Sequence, residues 1–203
     1  MKDIIKFILK NSIIFAIVSL VFSMIGAFFP ESEFTFVIGN PLVVSSVTYE
    51  HVLGHIFWGA VIGLGTLSIR YIILGGSFAI FLDSDHLLQF LDIELVSRMS
   101  HSIPFAVIVS IVFFVILRGK DIRICAVAFA AVLSHLAFDI FLADIAFGSS
   151  TKFPLFSPFT FETVPFQGLD WLSIQIIGVA IVAITSYFYK RKEIKLKNNF
   201  TKT

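Results

Sequence analysis

The chain has 203 residues, 57% of them hydrophobic, with 25 Phe and only 14% charged side chains, and its mean hydropathy is +0.94. So low a charged fraction, against roughly 25% in globular domains, excludes an ordinary water-soluble protein and marks an integral membrane protein. The net charge of +1 gives no basic surface for nucleic acid, and a single cysteine, Cys125, excludes a disulfide framework or a multi-cysteine zinc cluster.

A membrane span takes about 20 mainly apolar residues. The sequence predicts six, near residues 4–29, 50–69, 70–82, 102–117, 122–144 and 171–189. The first apolar stretch is long and lacks a small-x-small cleavage site, so it reads as a retained span rather than a signal peptide. The third is short and forms a tight hairpin with the second. Between the last two, residues 145–170 are rich in Pro, Gly, Ser and Phe and read as an interfacial loop or re-entrant lid. The expectation is an all-α, polytopic helical bundle forming a single membrane domain over 1–203. Within it, 1–29 is an extra N-terminal span, 50–160 the core, 171–189 the last span and 190–203 a basic tail.

Basic residues orient the spans, because cytoplasmic loops carry excess Lys and Arg. Lys2, Lys6 and Lys10 flank the first span, Arg70 marks the second turn, "RGKDIR" (118–123) joins spans four and five, and "KRKEIKLK" follows span six. Both termini are then cytoplasmic, with 30–49, 83–101 and 145–170 on the other side.

Ionisable residues within membrane segments are functional candidates, and every histidine of the chain is among them. His51 and His55 are four apart at the start of span two, beside Glu50. Asp83, Asp85 and His86 end span three, and His101 precedes span four. His135 and Asp139 are again four apart in span five, followed by Asp144. The orientation, derived from Lys and Arg alone, puts all of them at one level of one face. Imidazole with carboxylate suits Zn²⁺ and similar divalent ions. So many His and Asp exceed the needs of one tetrahedral ion, which leaves two ions, or one ion with an orienting outer shell. Taken singly each pattern has a structural reading: Asp83 as the cap of a helix starting at Asp85, or His135–Asp139 as a helix staple.

Four ordered blocks between Gly54 and Phe159 resemble the YdjM-like family of inner-membrane metal-dependent hydrolases. They are "GHIFWGAVIG", "FLDSDH", "MSHS" and "LSHLAFD", the last followed by a Gly and "PLFSPF". The resemblance implies roles for His55, Asp83, Asp85, His86, His101, Ser102, Ser134, His135 and Asp139. Two departures stand out: Leu82 replaces a proline, and "SRMSHS" has Ser97 where the family carries a leading histidine. His51, which has no family counterpart, is the candidate to replace it.

The resulting expectation is a membrane-bound metal-dependent hydrolase at the extracytoplasmic headgroup level. His55, Asp83, Asp85, His86, His135 and Asp139 are the candidate ligands of one or two divalent ions, with Zn²⁺ the leading identity. His101 and His51 are the candidate acid/base residues, while Ser102 and Ser134 orient neighbours. Membrane lipids, including a lipid-linked substrate, are the expected partners. A metal transporter or sensor, or a structural protein stapled by metal, are the alternatives.

Overall fold

The computed structural model describes residues 2–29, 39–44, 48–90, 98–148 and 151–200. It is a helical bundle. Its principal helices are α1 (Lys2–Met24), α3 (Tyr49–Gly63), α4 (Ile69–Phe81), α5 (Ile103–Ile116), α6 (Ile122–Phe147) and α7 (Asp170–Phe200); a single turn, α2 (Pro41–Val44), precedes α3. Among the described residues four helical segments are long and apolar enough to cross a membrane: Lys2–Phe28, Ile69–Phe90, Ile122–Ile145 and Asp170–Lys195. The predicted spans two and four appear as the shorter α3 and α5, of 15 and 14 residues.

The polarity of α1 is inverted relative to a water-soluble helix. Ile5, Leu9, Ile13, Ile17 and Val21 are exposed along one face, while Ser12, Ser19 and Ser23 are buried with Phe15 and Phe22. Aliphatic side chains outward and small hydroxyls at the helix contact suit a surround of lipid tails, which offer no hydrophobic gain for turning Leu or Ile inward. The most enclosed helix is α6. Its run of Ala126, Ala128, Ala130 and Ala131 is buried, and these small side chains let its neighbours come close.

The hairpin of α3 and α4 is closed by glycine. A Cβ on Gly59 would lie 2.4 Å from the Gly75 carbonyl oxygen, and one on Gly75 would lie 2.3 Å from that of Gly59. Backbone thus meets backbone, and α3 is drawn along α4 with its histidines beside the end of α4.

Contacts along the bundle set the directions of the helices. Arg70, at the start of α4, stacks over Phe7 of α1, and Tyr71 donates a hydrogen bond to Asp121 at the start of α6. Lys190 Nζ of α7 donates to the Thr66 carbonyl oxygen after α3 (3.1 Å). The starts of α1, α4 and α6 therefore share one end with the finishes of α3, α5 and α7. Chain neighbours alternate up and down, and the basic stretches gather at that end. Among the described residues, Arg98 and Lys152 are the basic ones of the opposite end.

Three details depart from the sequence reading. The chain does not leave the helix at Asp83: α4 runs on as a 3-10 helix over Leu82–Phe90. Asp83 therefore lies inside a helical segment and does not cap a new one. Ser19 Oγ donates to the Leu82 carbonyl oxygen (2.9 Å) and Ser84 Oγ to that of Ala16 (3.1 Å), pinning this segment to α1. Helix α7 continues through the basic stretch to Phe200, so that stretch is helical. Finally, the loop after α6 holds a small antiparallel ladder, β1 (Thr151–Phe153) with β2 (Val164–Phe166). It follows a C-terminal stop in which Gly148, in the left-handed region at φ 56°, donates its N–H to the Asp144 carbonyl oxygen. Ser97 lies outside the described residues, so its part in the site is not placed.

Candidate metal centre

The site forms where α3, the 3-10 segment, the start of α5 and the second half of α6 meet. Thr48 caps α3, its hydroxyl accepting the His51 N–H at 3.3 Å. The helix then puts His51 and His55 on one face. Gly54 carries no side chain because Phe138 fills the place: a Cβ there would stand 1.9 Å from the ring. The Phe138 ring meets His55 edge-on, with centroids 4.7 Å apart, and so sets the imidazole's plane.

All five histidines turn Nε2 to one point, around the carboxylates of Asp83 and Asp139. Asp83 Oδ2 lies 3.5 Å from His51 Nε2 and 3.7 Å from His55 Nε2. Its Oδ1 lies 3.2 Å from His135 Nε2, 3.7 Å from His101 Nε2 and 3.7 Å from His86 Nε2. Asp139 Oδ1 is 3.3 Å from His55 Nε2, and its Oδ2 is 3.6 and 3.9 Å from His135 and His101 Nε2. His51 and His55 hold their Nε2 atoms 3.0 Å apart.

The far nitrogens of three of the rings are tied down. His135 Nδ1 donates to the Ala79 carbonyl oxygen (2.7 Å), and His86 Nδ1 to Gln89 Oε1 (2.9 Å). Behind His101 stands a relay: Ser100 Oγ donates to Asp85 Oδ2 (3.2 Å) and lies 3.3 Å from His101 Nδ1. With its one proton given to Asp85, the hydroxyl accepts from the His101 Nδ1–H. Each of these bonds puts the proton on Nδ1 and leaves the Nε2 lone pair facing inward, as metal-ligating imidazoles require.

The donor set fits a cation. His135 Nε2 and Asp83 Oδ2 are buried atoms with no hydrogen-bond partner among the described residues, as are His55 Nδ1 and Asp85 Oδ1. Burying such groups unpaired costs about 1–3 kcal/mol each, and more for charges. Lone pairs meeting lone pairs at this density need positive charge between them. The ligand atoms of His51, His55 and Asp83 fall within 4.8 Å of one another. So do those of His55, His135 and Asp139, of Asp83, His101 and His135, and of Asp83, Asp85 and His86. Buried His/Asp groups are thus positioned to hold a metal ion.

The centre is open on one side. The side chains of His86, His51 and Asp139 are 22%, 17% and 15% exposed, whereas His55 and His135 are fully buried. At the other flank His101 lies parallel to Phe153 of β1, which carries the Arg98 guanidinium over its ring.

The residues singled out in the sequence as candidates therefore come together, with Glu50 exposed beside them. Ser102 caps α5, accepting the Phe105 N–H at 3.3 Å. Ser134 is buried in α6, its hydroxyl without a hydrogen-bond partner among the described residues. Sequence reading missed Ser100, Gln89 and the Ala79 carbonyl, which fix the imidazoles from behind. Ser100 stood within the quoted "MSHS" block, but serine is too common for its presence there to single it out. Comparison with family models, curated proteins and solved structures finds no match.

Proposed function

We propose that the chain is a membrane-embedded, metal-dependent hydrolase, its site at the extracytoplasmic headgroup level and both termini cytoplasmic, acting on lipid-linked ester or phosphoester bonds. The observation that carries this reading is the convergence of five Nε2 atoms and two carboxylates on a centre with one exposed side. A bound divalent cation, with Zn²⁺ first among candidates, supplies Lewis acidity for polarising a carbonyl or phosphoryl oxygen and for making water nucleophilic. The chain's own contribution is to fix the donors: Ala79, Gln89 and the Asp85–Ser100 pair lock the imidazoles of His135, His86 and His101 so that little reorganisation accompanies binding.

The orientation rests on the gathering of Lys and Arg at the end away from the site. An anionic, phosphate-bearing substrate suits one exception, Arg98, whose guanidinium lies over the Phe153 ring that stacks on His101. A transporter needs a polar path onward. Further along the same helices the buried side chains include Ile62, Leu74, Phe78, Val127 and Ala131, an apolar stretch that favours a one-sided site. The resemblance of the four sequence blocks to the YdjM-like family points to the same chemistry.

The test is turnover. Full-length protein in lipid nanodiscs, loaded with Zn²⁺ or Mn²⁺, is offered phospholipids and soluble carboxyl-ester and phosphoester substrates. Metal-dependent hydrolysis that is lost in His135→Ala and Asp139→Asn supports the reading. Metal-loaded wild type that cleaves none of them overturns it.

A further inference from the structure

We infer that the centre holds two cations, bridged by Asp83 and Asp139, with His51 and His55 on one ion and His101 and His135 on the other. This rests on the metal reading above and settles what that reading leaves open, the number of ions and the division of the ligands.

The first observation is how the two carboxylates are shared. Asp83 sends Oδ2 to His51 and His55 and Oδ1 to His101 and His135. Asp139 repeats the division, with Oδ1 to His55 and Oδ2 to His101 and His135. Neither carboxylate puts both oxygens on one pair of histidines. Each pair thus meets one oxygen from each carboxylate, Asp139 reaching the first pair through His55, which divides the donors into two sets. Neighbouring donors on a tetrahedral zinc at about 2.0–2.1 Å stand roughly 3.3 Å apart, close to the 3.0–3.9 Å separations within each set. His86 reaches the second set through Asp83 Oδ1 at 3.7 Å.

The second observation is independent of the carboxylates. The rings of His55 and His135 are stacked, with centroids 3.6 Å apart and planes 7° from parallel. The lone pair of Nε2 lies in the plane of its ring, and so does an ion it binds. One ion cannot lie in two parallel planes separated by a ring's thickness, but two ions can, one in each. Stacking at 3.6 Å also matches the spacing of about 3.5–4 Å at which two-metal hydrolytic sites operate.

On this division His51 and His101 are donors rather than free acid/base groups. Asp85 is a positioning residue that acts on His101 through Ser100.

The experiment uses the full chain in nanodiscs, stripped with chelator and titrated with Mn²⁺. Bound metal is counted by elemental analysis, and electron paramagnetic resonance reports whether the ions interact. Wild type is expected to saturate at two Mn²⁺ per chain with the spectrum of an exchange-coupled pair. His51→Ala and His101→Ala are each expected to retain one uncoupled ion. Saturation at one ion, or two ions without coupling, overturns the inference, and wild type alone decides this if a variant does not fold. One ion with full ester turnover would overturn the two-ion inference and leave the hydrolase reading standing. Two coupled ions without turnover would support the inference and end that reading. No uptake at all would end both.

Discussion

Gly59 and Gly75 face each other across the α3–α4 hairpin so closely that a Cβ on Gly75 would stand 2.3 Å from the Gly59 carbonyl oxygen. The partner there is backbone, which has nowhere to turn, so the helices must part. Gly75→Ala is expected to destabilise the protein by about 1–3 kcal/mol. Because the same hairpin sets His51 and His55 against Asp83, it should also lower metal uptake. Thermal unfolding with and without added Zn²⁺ checks both effects.

Ser100 is the least conspicuous member of the site and gives a sharp test of the relay. Ser100→Ala removes the link between Asp85 and His101 without touching a donor atom. Metal affinity should fall by roughly 10–100-fold, as for other lost outer partners of ligating histidines, with helical content unchanged. Competition titration against a chromophoric chelator measures the affinity. An unchanged value would mean that Asp85 holds His101 without the serine.

Removing the metal should loosen the site end of the bundle. With no cation present, Asp83 Oδ2 and Asp85 Oδ1, buried and without hydrogen-bond partners among the described residues, stand uncompensated beside the imidazole lone pairs. Chelation is expected to lower the melting temperature, and Zn²⁺ to restore it in proportion to ligand excess. The shift should vanish in Asp83→Ala.

At the other end, Asp121 accepts from the Tyr71 hydroxyl and from Arg123 Nε and Nη2, at 2.9 and 3.1 Å for the guanidinium. Asp121→Ala leaves the Arg123 charge mostly buried and unpaired. A loss of about 2–3 kcal/mol is expected, somewhat under the figure for a fully buried pair. Metal content per folded chain should be unchanged, which separates a structural ion cluster from the His/Asp centre.

Sidedness is read with an impermeant maleimide. In a Cys125→Ser background, Glu162→Cys, on the exposed loop at the site end, should react on intact cells. Lys120→Cys, at the opposite end, should react only after the membrane is opened. The reverse pattern would move the centre to the cytoplasmic face.

Much of the bundle was legible in the sequence because lipid makes the pattern blunt. Long apolar stretches and clustered Lys and Arg mark helices and ends without any fine periodicity. The clustered His and Asp residues were legible for the same reason, since imidazole and carboxylate stand out where charge is costly. Other features left no such trace. The 3-10 continuation over Leu82–Phe90 depends on hydroxyls of α1 and of Ser84 reaching carbonyls more than 60 residues away. The Ala79 carbonyl that orients His135 belongs to the backbone and has no letter of its own. The division of the donors into two sets depends on which oxygen of a carboxylate faces which ring, and a one-letter code does not record that.

Because all five histidines of the chain stand in the cluster, the protein carries a label free of background. Incorporating ¹⁵N-histidine would give a magnetic resonance spectrum in which every imidazole signal comes from the site. Nδ1 and Nε2 would be told apart by their shifts, and each step of metal filling would be visible ring by ring. A polyhistidine purification tag would drown that signal and compete for the ions, so the chain is better isolated by other means.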